Sequence, residues 1–471
     1  MRRGWIGTAP GRGNGKPMSI TGRILRSNVD MTQGKPLTVI FSFALPLLVG
    51  NLFNQLYNVV DTAIVGRALG ADALAAVGST GNINACLFLL LGGLSTGVGV
   101  IVAQYWGAQR YEALRRLLGT FFTLLLAGSV LLSVLGVALA APILRLLQIP
   151  ADLLGMGVTY LRITAGLLLG NALYNAASAV LRSTGDSRTP LAAMAASSLC
   201  NIVLDLWFIL GLRMGVAGAA LATVAAQFLS ALICLWVLWR RKKPFAFASV
   251  RLCFNSEDAA LILRFGLPTA LQSCMITLGG MTVQGIVNSF GSVTMAAYTA
   301  VQRIDSLTIQ VVVSVSNALA VYTGQNMGRR DIDRVRQGLR ATLKALCVIC
   351  LGLALAVFAS RRLLLSIFLD PATDAASIAQ GADFLSVMGF AYIIAAVMNS
   401  YLNVLRGAGD VNVSLIAGLF EMGARLAFAG LLAPRLGVWG IWLATPLSWA
   451  SGCIIPVARY YSKEWMKKAL L

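Results

Sequence analysis

Gly215-Val216-Ala217-Gly218-Ala219-Ala220-Leu221-Ala222-Thr223 returns, 222 residues later, as Gly437-Val438-Trp439-Gly440-Ile441-Trp442-Leu443-Ala444-Thr445. Three more pairs keep nearly the same offset. Phe43-Ala44-Leu45-Pro46 answers to Phe265-Gly266-Leu267-Pro268, and Ala103-Gln104 with Gly107 answers to Gly324-Gln325 with Gly328. Leu181-Arg182 with Gly185-Asp186 answers to Leu405-Arg406 with Gly409-Asp410. Four anchors at a near-constant spacing mark an internal duplication. What is duplicated is apolar: the chain is 58% hydrophobic and only 12% charged, over 471 residues. Soluble domains carry roughly 25% charged residues, so a soluble enzyme is excluded, and disordered chains lack such apolar content. The apolar runs are continuous instead of alternating, which excludes a transmembrane barrel.

Twelve runs long enough to cross a bilayer fall near 37–65, 77–103, 117–141, 157–181, 188–211 and 215–239, and then near 260–288, 298–324, 341–366, 380–405, 411–433 and 437–461. The expected organisation is a basic, unordered tail over 1–36, a first six-helix bundle over 37–239, a basic linker over 240–258, a second bundle over 259–461 and a short tail over 462–471. Six spans per half is an even number, so both halves insert in the same sense. The expected fold is therefore an all-α polytopic membrane protein, its two bundles related by a pseudo-two-fold axis along the membrane normal, with a cavity between them.

The net charge of +20 sits in short clusters between apolar runs, such as Arg240-Arg241-Lys242-Lys243 and Arg329-Arg330 with Arg334 and Arg336. That layout orients a membrane protein with both termini cytoplasmic and faces anionic lipid, and argues against a nucleic-acid partner. The first 36 residues have no apolar stretch of signal-peptide length, and Met31 is a second candidate start. Histidine is absent, which removes histidine-based acid–base catalysis, the Ser-His-Asp triad and most zinc sites. The eight cysteines are scattered, and Cys347 and Cys350 lack a second pair for zinc.

Polar residues on these spans are costly unless they line water or find partners. The first span aligns Asn51, Asn54, Gln55, Asn58, Asp61 and Thr62 within an arc of about 120°. The fourth aligns Asn171, Tyr174, Asn175, Ser178 and Arg182; the fifth, Ser197, Asn201 and Asp205. In the second half Ser273, Thr277, Gln284 and Asn288 share a face, as do Tyr392, Asn399, Asn403 and Arg406. One asparagine alone reads as interhelical glue worth about 0.6 kcal/mol, whereas five stripes over both halves point to a shared hydrated cavity. Asn54, Gln55, Asn58, Gln284, Asn288, Asn399 and Asn403 are its candidate lining. Among the ionisable residues, Glu421 and Arg425 are spaced to pair on one face, while Arg303 and Asp305 point to different faces. These four form a candidate gating or charge network. Asp61 and Asp205 have no basic residue near them on their own spans. A carboxylate so placed needs a counter-charge, and a reversibly bound proton or Na⁺ would supply one.

In this order the motifs resemble the multidrug and toxic-compound extrusion (MATE) family over roughly residues 31–460. The carrying residues are Leu45-Pro46, Gln55 with Tyr57-Asn58 and Asp61-Thr62, Val65-Gly66, Leu181-Arg182 with Gly185-Asp186, and Asn201 with Asp205. The second half adds Pro268, Gln272, Ala296-Ala297-Tyr298, Arg303-Ile304-Asp305 and Gly324-Gln325-Asn326 with Gly328. The resemblance implies an efflux antiporter of the cell membrane, a functional monomer in the lipid bilayer. It would export organic cations or amphipathic drugs in exchange for H⁺ or Na⁺, with no other cofactor. It also implies that Tyr57, Asp61, Asn175, Asn201, Asp205 and Thr223 form the ion-coupling constellation. Some members carry an acid on the seventh span; residues 260–288 have none, which favours coupling through the first half. The close rival is a flippase for lipid-linked precursors, which would want a more cationic cavity. A membrane-embedded enzyme would want a clustered catalytic set, and the scattered carboxylates argue against one.

Overall fold

The computed structural model describes residues 29–242, 244–468 and 470. The expected unordered tail therefore lies outside the described residues up to position 28. Among the described residues there are thirteen α-helices and no strand. The first half comprises α1 (Pro36–Leu69), α2 (Ala71–Gly107), α3 (Tyr111–Leu146), α4 (Ala151–Gly166), α5 (Leu169–Ser183), α6 (Arg188–Asp205) and α7 (Gly215–Arg240). The second comprises α8 (Ser256–Asn288), α9 (Ser292–Gly328), α10 (Ile332–Leu365), α11 (Ala375–Ala408), α12 (Val411–Leu436) and α13 (Val438–Tyr461).

Eleven of these are long and apolar enough to cross a membrane, and the pair α4–α5 completes a twelfth span with a 45° bend. The apolar run read near 157–181 gave one span without a break. The bend falls at Leu167 and Leu168 between two glycines, and Gly170 lies so close under the Phe228 ring of α7 that a Cβ would meet it at 2.9 Å. Large apolar side chains such as Leu56, Val59, Val130, Leu131, Val134 and Val348 point outward, as lipid-facing residues do.

The duplication is visible in the packing. α1 packs on α6 as α8 packs on α12, α5 on α7 as α11 on α13, and α3 on α4 as α10 on α11. Helix ends are set by ordinary chemistry: the Asn255 and Asp331 side chains accept from the Asp258 and Arg334 amides at 3.0 Å and so cap α8 and α10. Gly185 and Gly409, at φ +94° and +99°, stop α5 and α11 in conformations that favour glycine.

Candidate functional site

The halves meet tightly at one end of the molecule, the end where the described residues begin and finish, at Val29 and Leu470. There the repeats seen in the sequence assemble into a seal. Phe43 of α1 is buried in the core of the second half, and Phe265 of α8, its repeat partner, is buried in the core of the first. The Gln104 amide donates to the Gly407 carbonyl at 3.0 Å, and its counterpart Gln325 donates to the Ser183 carbonyl at 2.8 Å. Gly107 and Gly328 allow the backbones to touch. A Cβ on Gly107 would lie 2.0 Å from the Gln325 carbonyl oxygen, and one on Gly328 2.1 Å from that of Gln104.

Val29, Met31 and Leu470 all bond to residues of this seal. The Val29 amide donates to the Gly185 carbonyl at 2.9 Å, and Asn326 donates to the Met31 carbonyl at 3.0 Å. At the other terminus the Leu470 amide donates to Gln104 Oε1 at 3.1 Å. Arg116 of α3 reaches Asp258 of α8 at 2.7 Å, and that hydrogen bond holds the guanidinium above its ordinary pKa. Toward the far end the packing loosens: Gly78, Gly81, Gly280 and Gly285 would meet nothing within 4 Å.

Above the seal lies a cavity of about 870 Å³, within the usual range for small-molecule sites. Of the candidate lining and ion-coupling residues, Asn54, Tyr57, Asn58, Asp61, Asn175 and Thr223 line it, and so do Asn51, Thr62, Asn171, Tyr174, Arg182 and Ser197 of the polar stripes. Asn201 and Asp205 lie fully buried behind that wall. The remainder lie elsewhere. Gln284 donates to Asn288 at 2.9 Å, outside the cavity. Asn399 and Asn403 donate to carbonyls of their own helix, at 2.9 Å each, and Gln55 is also absent from the lining. From the second half Ser273 and Arg406, both members of the polar stripes, line it together with Thr269 and Asn317. Sequence reasoning missed Asn84 and Tyr160 as lining residues. Asn84 had a signal, because Thr80-Gly81-Asn82-Ile83-Asn84 is a polar cluster inside an apolar run.

The two carboxyl groups of the first half face each other, Asp61 from α1 and Asp205 from the last position of α6. The phenols of Tyr57 and Tyr160 and the hydroxyl of Thr223 lie beside them. Among the described residues, no hydrogen-bond partner reaches Asp61 Oδ1, either Asp205 oxygen, either amide atom of Asn201 or Thr223 Oγ1. Immediately beyond Asp205 the helix widens into a π turn, Leu206–Gly211, a feature often found at functional sites. Two facing carboxyls without a donor fit a proton or a small cation held between them. Among the described residues no group of three or more Cys, Asp or Glu gathers as a metal site.

The second half is arranged differently. Arg425 Nη2 donates to Glu421 Oε1 at 2.7 Å, as the i, i+4 spacing suggested, and Nε donates to Ser448 at 3.3 Å. Asp305 sits beside Tyr392 and within the field of the same arginine, whereas Arg303 is exposed on another face.

A family model described as MatE matches residues 46–207 and again 268–431, repeating the offset of the duplication. The probable multidrug resistance protein YpnP of Bacillus subtilis is 31% identical over 441 residues, covering 93% of this chain and 97% of its own. The probable multidrug resistance protein YoeA of the same organism is 28% identical over 438 residues, covering 91% and 94%. A solved outward-facing conformation of a multidrug resistance MATE family transporter is 22% identical and shares the fold at a TM-score of 0.86, over 94% of this chain and 99% of that one.

Proposed function

The chain belongs to the MatE family of multi-spanning membrane transporters, and from that premise we propose that it is a secondary active antiporter exporting drugs in exchange for H⁺ or Na⁺. The observation that carries the reading is the Asp61–Asp205 pair, a half-buried and a buried carboxyl that face each other with no donor and no cationic side chain among the described residues to balance them. Such a pair has to take up a cation to be electrically tolerable at membrane depth. A cation that comes and goes there changes how α1 packs on α6 and how strongly the adjoining cavity attracts cationic cargo. The names of YpnP and YoeA support drugs as cargo.

In this reading the sealed end, with its basic loops and both termini, faces the cytoplasm, and the cavity opens outward. Cargo is released there while the coupling ion enters. Alternating access then requires the seal to part and the far ends of the halves to close. Lobe symmetry of this kind suits such rocking.

The experiment is transport of a cationic dye in proteoliposomes with proton and sodium gradients imposed separately. One gradient should drive dye movement and the other should not. Asp61→Asn and Asp205→Asn should each remove the driven component while the protein remains monodisperse. Full gradient-driven transport by the doubly substituted protein would overturn the proposal.

A further inference from the structure

The Leu-Arg-x-x-Gly-Asp repeat has a consequence that the carboxyl pair does not use. Arg182 lies in the last turn of α5 and Arg406 in the last turn of α11. Each precedes an aspartate by four residues, a spacing that would form an ion pair on an unbroken helix. The helices stop first. The turns at Gly185 and Gly409 carry Asp186 to Arg241 and Asp410 to Arg459, the latter at 2.7 Å. Burial pushes the Arg241 guanidinium below its ordinary pKa, against the pull of Asp186. The aspartates of the repeat are thus neutralised outside the cavity, and its arginines are left over.

Neither Arg182 nor Arg406 makes an ion pair among the described residues. Both line the large cavity, and both line a smaller chamber of about 250 Å³ at its floor, with Asn51 and Asn317. Arg406 Nη2 donates to Asn317 Oδ1 at 3.1 Å and also to Asn403, but its Nε is buried without a partner. An arginine at a helix C-terminus gains about 0.3–1 kcal/mol from the helix dipole. That accounts for its place in the chain and not for two such groups facing one chamber. Two guanidiniums related by the duplication and lining one chamber repel each other, and an oxyanion relieves this by accepting charge-assisted hydrogen bonds from both. Asp61 lies ten residues along α1 from Asn51, about 15 Å by helix rise, so the cavity is cationic at its floor and anionic higher up.

We infer that the cavity floor between Arg182 and Arg406 binds the oxyanion group, carboxylate or phosphate, of a zwitterionic amphiphile whose cationic part lies toward Asp61. The inference deepens the transport reading by naming a substrate class, and it rests on that reading only in taking the cavity as the cargo site. Its test needs no gradient, so the two fail separately.

The test uses the full chain in lipid nanodiscs and two fluorescent probes of one ring system: a rhodamine with a free carboxylate, and its methyl ester, which is a plain cation. Fluorescence anisotropy should show tighter binding of the free acid to the unsubstituted protein. Arg182→Gln with Arg406→Gln should weaken the free acid about tenfold or more, the loss of one charge-assisted hydrogen bond or more, and leave the ester unchanged. Arg182→Lys with Arg406→Lys should retain much of the preference, since the charges remain. Benzoate and phenyl phosphate, added as competitors to the unsubstituted protein, distinguish the two oxyanions: displacement of the free acid by either supports the site, and the stronger competitor names the preferred group. Equal affinity for both dyes, equal loss of both in the glutamine variant, or displacement by neither anion overturns the proposal. The competition arm stands even if the glutamine variant fails to fold.

Discussion

Asp61 and Asp205 in the first half face each other without a balancing cation, whereas in the second half Glu421 is paired with Arg425 at 2.7 Å and Asp305 lies in the field of that same arginine. The two halves repeat their helix order and their packing, so the difference is one of charge and not of architecture. A compensated carboxylate needs no ion from solution; its removal costs structure. Under the proposed antiport, an uncompensated pair would hold a visiting cation, and its removal should cost coupling. At the seal, by contrast, the halves contribute matching parts: Gln104 and Gln325 each donate to a carbonyl of the other half, and Gly107 and Gly328 each meet the opposing backbone. Substitutions should therefore behave asymmetrically where charge is concerned and symmetrically where the seal is concerned.

The largest effect should come from setting Asp205→Asn beside Glu421→Gln in proteoliposomes. The first should reduce gradient-driven efflux to that of protein-free vesicles, and the second should leave most of it; equal loss in both would erase the distinction between the halves. Next is stability. Arg425→Met strands two buried carboxyls and should cost about 3–5 kcal/mol, seen as a lowered thermal unfolding midpoint in detergent, while Asp61→Asn should leave the midpoint unchanged or raise it.

The seal provides the symmetric counterpart. Gly107→Ala and Gly328→Ala each force a Cβ into the opposing backbone, so both should shift the protein toward opening at the terminal end. With the native cysteines replaced and Ser183→Cys as reporter, a membrane-impermeant maleimide should label either variant about tenfold faster or more, the factor for a shift of roughly 1.4 kcal/mol. A large effect from one glycine alone would show that the seal is not a paired device. The smallest effect is expected from Gln325→Ala and Gln104→Ala, each losing a hydrogen bond worth about 0.5–1.5 kcal/mol. Gln104 should show slightly more, because it also accepts from the Leu470 amide.

The fold was legible because the duplication and the apolar runs are signals of the whole chain: Phe43 and Phe265, or Gln104 and Gln325, announce themselves by position before any contact is known. What they join was not legible. An offset says that two segments are equivalent, and it does not say that each is buried in the other's half. The polar stripes were half informative for a related reason. Helix periodicity places Gln284 and Asn288 on one face, but a shared face does not say that the face lines the cavity, and these two bond each other outside it. The bend between α4 and α5 lacks a proline and is set by packing under Phe228. Arg182 and Arg406 were legible as members of the polar stripes, but the diversion of Asp186 and Asp410 to other partners, which leaves the two arginines over, was not.

The π turn that follows Asp205 makes α6 and its continuation a helix in two phases. One extra residue in a turn displaces everything beyond it by about 100° around the axis, so the lipid-facing outer segment, with Trp207 57% exposed, is indexed independently of the inner segment that aims Asp205. Removing a single residue between 206 and 211 would bring the two back into step and rotate the indole away from the acyl chains. A one-residue deletion there acts as a change of gear, and the emission wavelength of Trp207 would read which gear the helix is in.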